Sequence, residues 1–210
     1  MPLIILGTTN PAKAIYLGWL VEDLGLACRS ADRLPPAPDE SGRSFLDNAS
    51  LKALHYSGVA NALAIASDGG LHIPALGDRW DPLLTHRFAG EAATDAERAR
   101  ALLALMADLH GEQRRAFFME AVALADHGTL LGGWEAAGEE ALVVEAMPDR
   151  LIPGFWAGSL LYYPRLGKSG LDAEPTSLDT GMGDQPVAHT SAWAQLRPLV
   201  RRSLRDWLDR

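Results

Sequence analysis

No stretch constrains this chain more than Leu63-Ala64-Ile65-Ala66-Ser67-Asp68-Gly69-Gly70-Leu71. A short apolar run bounded by turn residues is the pattern of a buried strand. The run ends in a single carboxylate, Asp68, followed by Gly69 and Gly70. A carboxylate at a strand end lies where α/β enzymes gather their chemistry. The glycines leave the backbone bare for the close approach of a phosphate or a metal ion. The same residues also suit a β-hairpin turning at Asp68-Gly69, and the flanking sequence has to decide.

The flanks alternate strand and helix patterns. Leu3 to Leu6 reads as a first buried strand. Asn10 then suits a helix N-cap and Pro11 the first helical position. The helix is expected to run to about Asp23, with Ala14, Leu17, Leu20, Val21 and Leu24 on one face. Such a strand–loop–helix unit aims loop amides at a ligand above the strand. Lys13 sits in the first helical turn, where the helix dipole disfavours a cation, which hints at an anion nearby. Leu26 to Ser30 suggests a second strand, and Asp32 to Gly42 a Pro-rich loop carrying Glu40. Ser44 with Asp47 makes a capping box for the next helix. Phe45, Asn48, Ala49 and Lys52 share one face of it. This mixture of apolar and polar groups suggests a core edge that looks into a cleft.

Downstream, Leu71 to Leu76 reads as another strand and Gly77 to Glu91 as a loop. Thr94 and Glu97 cap a helix expected to reach about His110, with Gly111 as its stop. Arg115 to Ala125 has a strand pattern, with Asp126-His127-Gly128 as a hairpin turn and a meander through Glu135 and Ala146. Pro148 to Gly158 reads as a loop, Leu160 to Tyr163 as a brief apolar piece, and Pro164 to Pro186 as a long loop of the kind that serves as a lid, a binding loop or a mobile segment. Ser191 opens a last helix with Leu196, Leu199, Val200, Leu204 and Leu208 inward. His55 and His110 are expected on helix surfaces, and His72 in a structural role. The alternation argues for a single α/β domain over residues 1–210 with a mixed sheet.

The chain carries a formal net charge of −8, which argues against affinity for a nucleic acid polymer through phosphate neutralisation. A small nucleotide held by local cations remains compatible with it. The lone Cys28 forms no internal disulfide, and no Cys/His spacing resembles a zinc site. No apolar run approaches a membrane span, and Leu3 to Leu6 is too short for a signal peptide, so a cytoplasmic protein is expected. Gly167-Lys168-Ser169 imitates the end of a Walker A loop, but Tyr162 stands where that motif needs glycine.

Four stretches then fall into order: Thr8-Thr9-Asn10-Pro11-Ala12-Lys13; Glu40-Ser41-Gly42 with Phe45-Leu46-Asp47-Asn48-Ala49-Ser50-Leu51-Lys52-Ala53; Ser67-Asp68-Gly69-Gly70-Leu71; and Arg87-Phe88-Ala89-Gly90. Together they resemble the inosine triphosphate pyrophosphatase, or Ham1, family. Its pattern runs Ser/Thr-x-Asn-x-x-Lys, Glu-Thr-Gly…Phe-x-x-Asn-Ala-x-x-Lys-Ala, Asp-Asp-Ser-Gly-Leu and Arg-Tyr-Ala-Gly. Asp68 matches the second aspartate of that pattern, and Ser67 replaces the first. Arg115-Ala116-Phe117-Phe118 also resembles the family's next strand.

The resemblance implies an elongated, two-lobed α/β fold with flanking helices and a central active-site cleft. It implies Mg²⁺-dependent cleavage of a nucleoside triphosphate to monophosphate and pyrophosphate, and a homodimer. By position, Thr8, Asn10 and Lys13 would hold the triphosphate, and Glu40 and Asp68 the metal, with Asp68 also activating water. Lys52 would face the phosphates, with Arg87 as a further cation and Asn48, Gly69 and Gly70 beside the substrate. The chemistry agrees, since Mg²⁺ takes one or two carboxylates plus phosphate oxygens and waters, and a polyphosphate needs fixed cations. A nucleotide-binding protein without turnover, or a phosphohydrolase of a nucleotide-like metabolite, would use the same residues.

The second half departs from the family pattern. Gly-Phe-Gly-Tyr-Asp-Pro is represented by Gly154-Phe155-Trp156-Ala157-Gly158-Ser159. Lys-Asn-x-x-Ser-His-Arg is represented by Asp184 to Thr190, keeping His189 but placing Asp184 for lysine and Thr190 for arginine. This region reads the base in the family, so a modified or different base is expected, one presenting hydrogen-bond donors to Asp184, with Phe155 or Trp156 as a stacking face.

Overall fold

The computed structural model describes residues 1–173 and 191–209. The chain order is β1 (Leu3–Leu6), α1 (Pro11–Val21), β2 (Ala27–Ser30), α2 (Phe45–Ala60), β3 (Leu63–His72), α3 (Asp95–Leu105), β4 (Arg115–Asp126), β5 (Thr129–Ala137), β6 (Ala141–Val143), α4 (Trp156–Ser159), β7 (Leu161–Tyr163), β8 (Lys168–Ser169), α5 (Gly170–Ala173) and α6 (Ala192–Leu208). Short 3₁₀ turns at Pro74–Arg79, Pro82–Leu84 and Gly111–Arg114 link some of them. The sheet order is β2-β1-β3-β4-β6-β7-β8, with β5 also on β4. β1 runs parallel to β2 and β3, and the remaining pairs are antiparallel. The architecture is therefore mixed α/β, as the alternation of patterns implies.

The central strand differs from its expected form. β3 continues through Asp68, Gly69 and Gly70 to His72, laddered against β4 along its whole length. Asp68 thus lies inside a strand, not at its end, and Asp68-Gly69 is no hairpin turn. No strand runs from Leu71 to Leu76, because Pro74 begins a 3₁₀ turn there. β1 pairs with β3 only as far as Ile65. Beyond that point no strand among the described residues pairs with this edge of β3, and the cleft opens along it.

Other boundaries shift for local reasons. Asn10 caps α1 as expected, its Oδ1 accepting from the amides of Ala12 and Lys13. Ser44 caps α2, but Asp47 accepts from the amide of Arg43, so the box closes one residue early. Thr94 and Glu97 form a full capping box. α3 stops at Leu105, well before His110, since buried Arg114 bonds the carbonyls of Met106 and Leu109 and holds the chain in a turn. His110 consequently caps a 3₁₀ turn and lies on no helix. β6 returns to the start of β4, whose far part is taken by β5, so the strands do not continue a simple meander. The loops expected at Pro148 to Gly158 and Pro164 to Pro186 contain α4, β8 and α5. The part of the latter from 174 onward lies outside the described residues.

Two larger cores flank the cleft. In one, α1 and α6 cover Ile4, Ile65, Val122 and Leu124, and Tyr16 stacks on Trp193 at 4.7 Å. Trp193, Leu196, Val200 and Leu204 turn inward from α6, whereas Leu199 is exposed. In the other, Leu71, Leu102, Met106, Trp156 and Leu160 pack together. α2 lies over small residues, Ala66, Ala121, Ala123 and Ala125, which let the helix approach the sheet closely. His72 stacks on Phe117 and meets the edge of Phe45, in keeping with a structural role.

Candidate active site

A cavity of about 420 Å³ opens where β1 ends, between the loop Gly7–Asn10, the polar face of α2, β3, the segment after Pro82 and the segment Gly154–Ala157. Lys52 is its electrostatic centre. The ammonium lies 2.9 Å from Glu40 Oε1 and 3.1 Å from Asp68 Oδ1, with the side chain only 12% exposed. Burial alone would lower the Lys52 pKa, but Asp68 and then Glu40 outweigh it and hold the amine above its ordinary value. Arg87 bonds the other Glu40 oxygen at 2.6 Å, and Asn48 donates to Asp68 Oδ2 at 3.0 Å. Lys13 lies 3.9 Å from Asp68 Oδ1. Three cations and two carboxylates from five separate segments therefore meet in one cleft.

The loop before α1 works differently from the strand–loop–helix expectation. The amide of Gly7 bonds Ile65 O, Thr8 bonds Leu6 O, and Asn10 bonds Thr8 Oγ1. With Ala12 and Lys13 given to the Asn10 side chain and Pro11 lacking N–H, few amides are left for an anion. Phosphate recognition there falls to side chains. Asn10 Nδ2 also donates to Gly154 O, and the Gly154 amide donates to Asp95, which ties the loop across the cleft.

The two glycines of the central stretch are occupied by protein. A methyl group on Gly70 would stand 2.1 Å from Pro82 O, so its bareness admits the 3₁₀ turn, not a ligand. A methyl on Gly69 would stand 2.3 Å from Glu120 Oε2. Phe155 lines the cavity and stacks on Phe118 at 5.3 Å. Trp156 reaches the cavity wall but is 2% exposed and packs into the second core, so it offers no free stacking face. Gly158, at the position of the missing aspartate, lies under the Phe155 ring. Asp184, His189 and Thr190 lie outside the described residues.

Glu120, Phe118, Thr85 and His86 also line the cavity, and sequence reasoning passed over them. Glu120 carried a signal: it is the one charged residue from Ala116 to Ala125 in a strand pattern. It is 5% exposed, and its Oε2 has no hydrogen-bond partner among the described residues. Burial raises its pKa to about 7; Lys13 and Lys52 pull it down while Asp68 pushes it up. His86 is held below its ordinary pKa by burial, then by Arg98.

The sequence profile of the Ham1 family matches residues 4–170. This chain belongs to the Ham1 family. A protein of Legionella pneumophila strain Lens named dITP/XTP pyrophosphatase is 42% identical over 128 residues, which is 60% of this chain and 64% of that relative. The chain's match thus spans less than two thirds of that relative's length. A Haemophilus influenzae protein of the same name is 33% identical over 165 residues, covering 78% of this chain and 84% of its own length. Among solved structures, a Ham1 protein from Coxiella burnetii superposes with a TM-score of 0.74 at 26% identity, over 96% of this chain and 100% of that one. A Staphylococcus aureus Ham1 protein shares the fold, with a TM-score of 0.68 at 21% identity. Among the described residues no helix is long and apolar enough to cross a membrane.

Proposed function

We propose that this Ham1 family protein is a divalent-metal-dependent nucleoside triphosphate pyrophosphohydrolase, releasing monophosphate and pyrophosphate. The observation that carries the reading is the Glu40–Lys52–Asp68 bridge with Lys13 and Arg87 around it. The relatives named dITP/XTP pyrophosphatase support the reaction class.

The donor set suits a hard cation such as Mg²⁺. Two carboxylates converge on one positive centre, now the Lys52 ammonium, and a divalent ion prefers the same oxygen-rich surroundings. When bound, such an ion would offset phosphate charge and polarise the scissile group. This chain's own residues supply the remainder. Lys13, Lys52 and Arg87 hold phosphate oxygens by charge-assisted bonds. Asn10 keeps Lys13 in register by fixing the first turn of α1 and pinning Gly154. Asn48 fixes the Asp68 carboxylate at Oδ2, leaving Oδ1 directed toward the lysines to accept a proton from water. Phe155 offers an aromatic face beside the cavity. The test is a nucleoside triphosphate panel with and without Mg²⁺ or a chelator. Metal-dependent formation of monophosphate and pyrophosphate is expected, and binding without product would instead leave a nucleotide-binding protein.

A further inference from the structure

Both main-chain polar groups of Gly154 are held by side chains from other elements. Its N–H donates to Asp95 Oδ2 at 2.9 Å, and its carbonyl accepts from Asn10 Nδ2 at 3.1 Å. Asp95 opens α3, which packs into the second core through Ala99 and Leu102. Asn10 caps α1, which packs into the first. The two ties therefore come from the two sides of the cleft. Gly154 has a φ of 76°, a left-handed conformation that suits glycine, the residue with the most backbone freedom to lose. So free a joint keeps one shape only when it is held on both sides.

The residues around Gly154 close on themselves. The Phe155 N–H donates to Ile152 O, the Ile152 N–H to Ser159 Oγ, and the Ser159 hydroxyl to Phe155 O. Residues 152–159 thus form one small unit, with Trp156 and Ala157 seated in the second core. Phe155, stacked on Phe118, is its ring on the cavity. The angle at which this unit turns about Gly154 sets where that ring stands. Asp95 is braced for holding it: Arg98 bonds its other oxygen at 3.1 Å, and Arg98 is itself buried and bonded to Glu91 O. Asp95 does not line the cavity. An acid in the first turn of a helix also complements the helix dipole. That role alone would give Asp95 an effect on stability and none on binding.

We propose that Asp95 is a positioning residue for substrate binding: through the Gly154 N–H it sets the place of Phe155, and with it the affinity for the base-bearing part of a nucleotide. The inference rests on the nucleotide reading above, with Phe155 as the aromatic face. Asp95 stands outside the cavity and meets no phosphate. Lys13 keeps its own support when Asp95 is lost, because Asn10 caps α1 through Oδ1 and reaches Gly154 through Nδ2. Loss of Asp95 therefore acts on the half of the ligand that carries the ring. Pyrophosphate has charge and no ring, whereas a nucleoside monophosphate has both, so the ratio of their affinities isolates the ring.

The experiment measures calorimetric affinities for deoxyinosine monophosphate and for pyrophosphate, with kcat and KM for dITP, the compound in the relatives' name. The proteins are the wild type, Arg98→Met, and Arg98→Met combined with Asp95→Ala or with Asp95→Asn. Each variant lacks the ion pair, and removing both partners strands no buried charge. Only Asp95→Ala also removes the acceptor for Gly154. Against Arg98→Met, that variant should bind the monophosphate about tenfold more weakly, the worth of one hydrogen bond to a charged group. Its KM should rise in step, with kcat and pyrophosphate affinity little changed. Asp95→Asn keeps a carbonyl oxygen for the Gly154 N–H and should recover most of the loss. In the free wild type the Gly154 amide should exchange slowly with solvent; unprotected exchange would overturn the inference with no variant needed. Equal weakening of both ligands by Asp95→Ala, no weakening of either, or an equal loss in Arg98→Met alone would also overturn it. If the wild type neither binds nor hydrolyses these nucleotides, the nucleotide reading itself fails; turnover with an affinity ratio indifferent to residue 95 removes this inference alone.

Discussion

Glu120→Gln should change how stability depends on pH. Burial lifts the Glu120 pKa from 4.5 to about 7 in the folded protein. The folded state then keeps its proton to higher pH than the unfolded state. Its contribution is fully present below about 4.5 and is lost as pH rises through about 7. At about 1.4 kcal/mol per pH unit, that window amounts to about 3 kcal/mol. Glutamine keeps the shape and does not titrate. The wild type should therefore lose about 3 kcal/mol relative to Glu120→Gln across this range. Urea unfolding of both proteins at a series of pH values, in metal-free buffer, gives the difference directly. A difference that does not vary with pH would refute the reasoning. A wild type that gains on the variant as pH rises would mean that Lys13 and Lys52 dominate the burial.

Lys13→Ala and Lys52→Ala should each weaken nucleotide binding by about 1.5–3 kcal/mol, ten- to a hundredfold, as charge-assisted phosphate contacts do; calorimetry showing wild-type affinity in both would make them ordinary ion-pairing lysines. Gly70→Ala should destabilise the fold by about 3 kcal/mol through overpacking against Pro82 O, and an unchanged melting temperature would show that the turn at Pro82 yields freely. Light scattering at micromolar concentration should give the mass of a homodimer, the assembly implied by the family resemblance, whereas a monomer mass would set this chain apart from that expectation.

The alternation of elements, the helix caps at Asn10 and Thr94, and the shared helix face of Asn48 and Lys52 were legible from local pattern and periodicity alone. That Lys13, Glu40, Lys52, Asp68 and Arg87 belong to one site was implied only by the family resemblance, because they come from separate segments. The roles of Gly69 and Gly70 were hidden, because what fills the space beside a glycine comes from distant segments, Glu120 on β4 and Pro82 after β3. The loop amides were misjudged for a related reason: an N-cap side chain consumes the very N–H groups that its helix start seems to offer. Glu120 stood out in its strand, but only the β3–β4 register shows that it faces the cleft.

The account rests on Asp68, and the product balance of Asp68→Asn tests it most directly. The change keeps the side-chain shape and removes the negative charge. With a nucleoside triphosphate and Mg²⁺, the wild type should release monophosphate and pyrophosphate in equal amounts, while a folded Asp68→Asn protein should release neither. Near-normal turnover by that variant, or diphosphate and inorganic phosphate as the wild-type products, would contradict the mechanism.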